Sequence, residues 1–129
     1  MKKGERLRGR GVFTSLYESG RSLQGELLRC FVRIDAGAGA PIRAGFSVSS
    51  RSFNAVRRNR VRRILRAAYD AEKTNLTRAA VTAERRVSML VVYRGRSGLA
   101  VERLRLADVR PDMATFSQKI SAMLLPASS

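Results

Sequence analysis

Residues 57–66 read RRNRVRRILR: six arginines, one asparagine and no acid in ten positions. Two features of this stretch decide how the chain is built. Placed on a helix at 100° per residue, Val61, Ile64, Leu65 and Ala68 fall in one arc of about 100°, wide enough to pack on a sheet. Arg60, Arg62, Arg63, Arg66 and Asn59 fall on the far side, Arg58 at the boundary, and Arg57 in the apolar arc but in the first turn, where it can splay outward. The first acid after Arg57 is Asp70, so no i,i+4 carboxylate relieves the repulsion along the arginine side. A solvated charged face normally mixes signs. An unmixed one implies an external polyanion.

Working outward, Asn54 is the N-cap of a helix running to about Thr74, and 75–86 either extends it or forms a polar loop. Before it, Leu28, Cys30, Val32 and Ile34 alternate with Leu27, Arg29, Phe31 and Arg33 over 27–34, the pattern of a half-buried strand. Ile42, Ala44, Phe46 and Val48 alternate likewise over 42–49. DAGAGAP (35–41) between the two runs predicts a turn and an antiparallel hairpin. VSMLVVY (87–93) reads as a buried strand. Val12, Phe13, Leu16 and Tyr17 recur at helical spacing over 11–19, with Gly20 placed to end that helix. Residues 95–110 form a basic connection without a defined element. Asp112 reads as the N-cap of a last helix whose apolar stripe is Met113, Phe116, Ile120 and Met123/Leu124.

The expected architecture is α+β, a single-domain sandwich in the order α-β-β-(β)-α-β-α. A mixed sheet is crossed by the arginine helix, and the general rule for such crossovers gives it a right hand. One domain spans 1–129, with 1–8 and 126–129 expected to be flexible.

Composition narrows the function. The 129 residues carry a formal charge of +16 with 44% hydrophobic residues, which describes a basic globular domain rather than a disordered tail. Of 26 basic residues only Lys2, Lys3, Lys73 and Lys119 are lysines. A membrane surface attracts any cation, whereas the planar arginine fork suits phosphate and bases. The absence of histidine excludes a His general base and any zinc site built on His. One cysteine excludes an internal disulfide, and Cys30, in an alternating apolar run, reads as a small core residue. The ten acids show no paired-carboxylate motif for two metals, so a stand-alone protein nuclease is not expected. No apolar run reaches 18 residues and no signal core precedes the domain, so a soluble, cytoplasmic protein is expected; the free protein is separately expected to be a monomer. Phe31 lies on the strand face of Arg29 and Arg33. It is either a stacking platform for single-stranded RNA or a residue packed by the first helix. Phe13 and Tyr17 lie on the apolar side of that helix, where core packing accounts for at least one of them.

AVRRNRVRRILRAAY (55–69), RGRGVFTSLYESGRS (8–22), RAGFSVSSRSFN (43–54) and LVVYRG (90–95), in this order, resemble the bacterial ribonuclease P protein family over roughly 6–125. The resemblance implies a small α+β fold whose arginine-helix crossover takes the uncommon left hand. It implies a catalytic ribonuclease P RNA and precursor tRNA as partners, and removal of the 5′ leader with Mg2+ held mainly by RNA. No cofactor and no catalytic residue is then expected in the protein itself. Carried over by motif, Arg51, Arg58, Asn59, Arg60, Arg62, Arg63 and Arg66 would contact the catalytic RNA. Phe13, Tyr17 and Phe31, with Arg29 and Arg33, would border the cleft for the single-stranded leader. In the segment entering the helix, Ser50 and Phe53 stand where many members carry Lys and Gly. The alternative from composition alone is a non-catalytic RNA-binding module, such as a ribosomal protein or RNA chaperone.

Overall fold

The computed structural model describes residues 6–7, 9–37, 39–48, 54–95 and 98–125. Seven main elements follow one another: α1 (Arg10–Ser19), β1 (Arg21–Gln24), β2 (Leu28–Ala36), β3 (Ile42–Val48), α2 (Ala55–Ala83), β4 (Arg85–Tyr93) and α3 (Leu106–Leu124), with a 3-10 turn at Val101–Arg103 before α3.

The four strands form one mixed sheet in the order β1-β2-β4-β3. The fold is therefore the expected mixed α+β domain, but one pairing differs. β2 and β3 do not form a hairpin. β4 lies between them, antiparallel to β2 and parallel to β3. The physical reason lies in composition. Val87, Met89 and Val91 are buried on one face of β4, and Leu90 and Val92 on the other. A strand apolar on both faces is buried most completely at the centre of a sheet. The hairpin is instead β1–β2, closed where Gly25 N–H donates to the Leu28 carbonyl at 2.8 Å. Because β3 and β4 are parallel neighbours, α2 is the crossover between them.

The sheet is covered on both sides. Leu28, Cys30, Val32, Ile42, Ala44, Val87, Met89 and Val91 face α2 and α3, meeting Val61, Leu65, Tyr69, Phe116 and Ile120 in the main core. Phe31, Leu90 and Val92 face the other way and pack with Leu16 of α1 and Leu7. The arm expected to be flexible is fixed at one point. Leu7 is buried, its N–H donates to the Ala44 carbonyl at 3.0 Å, and Arg6 bridges Ala44 beside β3. Residues 1–5, 8 and 126–129, the rest of that expectation, lie outside the described residues.

One helix boundary left open by the sequence is settled, and another differs. α2 has 29 residues, so 75–83 extends the helix and β4 begins at Arg85. Leu76 and Ala80 are buried, which carries the apolar side of α2 past Thr74. Gly20 ends α1 with an extended backbone, φ −75°, rather than a left-handed turn. At the last helix, Asp112 is not an N-cap. α3 starts at Leu106, where Asp108 accepts from the Arg105 N–H at 2.8 Å, and Pro111 sits inside the helix. Asp112 is buried, and its carboxylate accepts the N–H groups of Glu26 (3.0 Å), Leu27 (2.8 Å) and Leu28 (3.0 Å). An Asp directly ahead of a helical apolar stripe reads locally as a helix start. The side chain is instead used across the fold, on the backbone of the β1–β2 turn.

Candidate nucleic-acid interface

The N-terminus of α2 is fixed as its sequence requires: Asn54 Oδ1 accepts the Arg57 N–H at 2.9 Å. Val61, Leu65 and Ala68 are buried under it, and Ile64 is half-buried. With the inner side set, the arginines divide into two groups.

The first group faces the segment that precedes α3. Arg57 Nε pairs with Glu102 Oε1 at 2.6 Å. The Arg60 guanidinium donates to the carbonyls of Leu104 (2.7 Å), Val101 (3.4 Å) and Glu102 (3.5 Å). These two arginines clamp the 3-10 turn onto the start of α2. Arg60, predicted as an RNA contact, is thus engaged with its own chain.

The second group is open. Arg63 and Asn59 are exposed, and Arg62 Nη1 reaches Asn59 Oδ1 at 3.4 Å. Arg62 and Arg66 lean round the outer edge of β3. There they line a concavity of about 150 Å³ with Arg6, Leu7, Phe13, Ala44, Gly45 and Phe46. Arg66 Nε is buried there without a hydrogen-bond acceptor among the described residues. Three guanidinium groups beside two aromatic rings, with no acid in the lining, make a concavity whose chemistry suits an anion such as a phosphate. Gly45 makes the site possible. A Cβ on it would lie 3.2–3.3 Å from Leu7 Cβ and the Phe13 ring, so α1 approaches β3 this closely only over a glycine. Arg58 is half-buried at the boundary, and Arg51 lies outside the described residues.

The predicted aromatic cleft is brought together in part. Tyr17 and Phe31 are in contact, ring centroids 4.7 Å apart and tilted by 57°. Arg29 lies over the Phe31 ring at 5.4 Å and donates to Ser22 Oγ at 3.0 Å. Phe31 is only 8% exposed, so of the two readings from sequence, packing under α1 is the one its burial fits. Tyr17, 47% exposed, is the ring that offers a face. Arg33 is taken up by Asp35 (3.2 Å) and Ser15 Oγ (2.7 Å). Phe13 stands apart from this pair, in the arginine concavity. Sequence reasoning missed Arg6, Gly45 and Glu102. Their partners lie tens of residues away in the chain, so no local spacing announces them.

Cys30 is fully buried, and burial pushes its thiol up to about 12, which makes it a core residue rather than a nucleophile. Among the described residues no three His, Cys, Asp or Glu side chains converge as a metal-ligand set. None of the described helices is long and apolar enough to cross a membrane.

A family model described as Ribonuclease P matches residues 1–101. The chain belongs to the ribonuclease P protein family. A curated relative, the ribonuclease P protein component of Chlorobaculum tepidum, is 30% identical over 95% of this chain and 79% of its own length. That of Desulfovibrio desulfuricans is 41% identical over 55% of each chain. Among solved structures, the ribonuclease P protein from Thermotoga maritima superposes with a TM-score of 0.68 at 25% identity, covering 89% of this chain and 96% of that one. The Staphylococcus aureus protein gives 0.63 at 18% identity over 95% and 100%, a likeness of fold alone. As a ribonuclease P protein component, the chain is part of an endoribonuclease complex of tRNA processing and partners an RNA subunit.

Proposed function

We propose that this chain holds the catalytic RNA of ribonuclease P on the open side of α2 and guides the 5′ leader of precursor tRNA across the α1 face of the sheet. The carrying observation is the convergence of Arg6, Arg62 and Arg66 with Phe13 at the β3 edge, next to the exposed Arg63. An arginine surface supplies the sequence-independent attraction for a phosphate backbone. Tyr17, backed by Phe31 and Arg29, is the stacking surface for an unpaired base. The role of this chain is positioning: it lowers the cost of bringing leader and RNA active site together. Cleavage of the phosphodiester is assigned to Mg2+ held by RNA. The assignment of chemistry to RNA is supported by a chain without histidine and without a converging set of acids among the described residues. The proposed site of action is the cytoplasm.

Reconstitution tests this reading. The purified protein is mixed with a bacterial ribonuclease P RNA and a precursor tRNA at low Mg2+, and the product 5′ end is mapped. Stimulated cleavage at the mature 5′ end is expected. RNA binding without stimulation would reduce the protein to an RNA-binding module. Cleavage without any RNA partner would overturn the assignment of chemistry.

A further inference from the structure

We infer that the RNA-binding surface does not end at α2. It continues round the outer edge of β3 to a pair of arginines, Arg43 and Arg86, which take an RNA phosphate beside Gly37 and Gly39. The inference rests on the RNA-binding reading above and extends the footprint to the opposite end of β3 from the entry to α2.

β3 is an outer strand. Ile42, Ala44 and Val48 point into the core under α2, so Arg43, Gly45 and Ser47 face the α1 side. Gly45 borders the concavity of Arg6, Arg62 and Arg66. Arg43 is exposed two residues earlier on the same face, about 7 Å along the strand. Arg6, Arg62 and Arg66 thus border one concavity, Arg63 follows Arg62 on the helix, and Arg43 shares the strand face of Gly45.

Arg86 completes the track from the neighbouring strand. Val87 and Met89 face α2, so Arg86 faces the α1 side. Its Nη2 makes one long contact, 3.4 Å to the Ala36 carbonyl, and its Nε is buried without an acceptor. Gly37 and Gly39 both take positive φ, 114° and 130°. A Cβ on Gly39 would lie 3.4 Å from Arg86 Cδ and Nη1 and 3.9 Å from Arg43 Nη2. Both guanidinium groups thus border the space beside Gly39 that a Cβ would occupy. Asp35 lies opposite Arg86 in the strand register, but its carboxylate is held by Arg33 at 3.2 Å. Among the described residues neither Arg43 nor Arg86 forms an ion pair. Two neighbouring guanidinium groups without an ion-paired carboxylate are a fork for an anion, and the anion proposed for this surface is the RNA backbone.

The test is the salt dependence of binding to a transcribed bacterial ribonuclease P RNA. Wild type is compared with Arg43→Ala, Arg86→Ala, Arg63→Ala as a positive control, and the exposed Arg78→Ala as a charge-matched control on α2. Each phosphate contact contributes roughly 0.7–0.9 to the slope of log K against log salt. Arg43→Ala and Arg86→Ala are expected to lower the slope by about that amount each, a loss of about fivefold at 0.15 M salt. Arg78→Ala should not. If Arg43→Ala behaves like Arg78→Ala while Arg63→Ala loses slope, the extension is wrong and the helix surface stands. A salt-independent wild type would overturn the RNA-binding reading itself. Should Arg86→Ala fail to fold, Arg43→Ala decides alone, because its side chain is exposed.

Discussion

The Arg60 guanidinium donates to the Leu104 carbonyl at 2.7 Å, tying the second turn of the arginine helix to the segment that leads into α3. An arginine of the 57–66 stretch therefore works inside the protein. Its neighbour Arg63, three residues on, is exposed.

These two arginines should separate cleanly. Arg60→Ala removes a charge-assisted bond to a backbone carbonyl and is expected to cost about 1.5–3 kcal/mol of stability. At roughly 4 °C per kcal/mol for a chain of this size, that is a clear fall in Tm. The salt slope of RNA binding should stay near wild type. Arg63→Ala should do the reverse, leaving Tm in place and lowering the slope by about 0.7–0.9. Thermal melts and salt-series binding on both variants settle it. A lower slope with unchanged Tm for Arg60→Ala would return that residue to the RNA face.

Tyr17 and Phe31 share one contact but should fail differently. Phe31→Ala opens a cavity under α1 and is expected to cost about 3 kcal/mol. Tyr17→Ala gives up a half-exposed ring and an aromatic pair worth about 0.5–1.5 kcal/mol. Tyr17→Ala should weaken binding of leader-bearing precursor by about 1–3 kcal/mol and leave mature tRNA nearly unaffected. Equal losses for both tRNAs would remove Tyr17 from the leader path.

Asp112 holds the β1–β2 turn through three backbone N–H groups. Asp112→Ala strands them and is expected to cost at least about 3 kcal/mol, while Asp112→Asn, which keeps one acceptor oxygen, should cost less. Gly25→Ala should be as damaging, because its Cβ would lie 2.5–2.8 Å from the Asp112 carboxylate. Denaturant melts of the three variants provide the measurement, and a neutral Gly25→Ala would contradict the packing.

Cys30 gives an alkaline signature. Its thiol is held neutral up to about 12 in the fold, against an ordinary value of 9.0. Below pH 9 the thiol is neutral in both states and adds no pH dependence. Between 9 and 12 the unfolded chain loses the proton and the fold does not, so stability falls as pH rises, by up to about 1.4 kcal/mol per pH unit. Tyr93 adds to the same trend, raised by burial and then by the Asp108 carboxylate. Melts of wild type and Cys30→Ala from pH 8 to 11 should converge in slope only below pH 9. A thiol reagent at pH 8 should label the native protein no faster than it opens.

The local elements were legible because each depends on neighbours in the chain. Asn54 caps α2, Val61, Leu65 and Ala68 turn inward, Cys30 is core, and VSMLVVY is a buried strand, all as period and residue type require. What was misread depended on distant partners. The β2–β3 hairpin fails because β4, which begins 37 residues beyond the end of β3, pairs with both strands. Asp112 fails as a cap because its partners lie 84 to 86 residues earlier.

For the site the division is similar. The sequence by itself determined that α2 carries an apolar side, an arginine side and no neutralising acid, because helix period and charge are properties of the chain alone. Only the tertiary structure decided which arginines remain available. Glu102 and the carbonyls of Val101, Glu102 and Leu104 claim Arg57 and Arg60, while the β3 edge gathers Arg6, Arg62 and Arg66 around Phe13. A guanidinium at the surface binds whichever acceptor the fold places within reach, and that placement is set by the packing of segments far apart in the sequence.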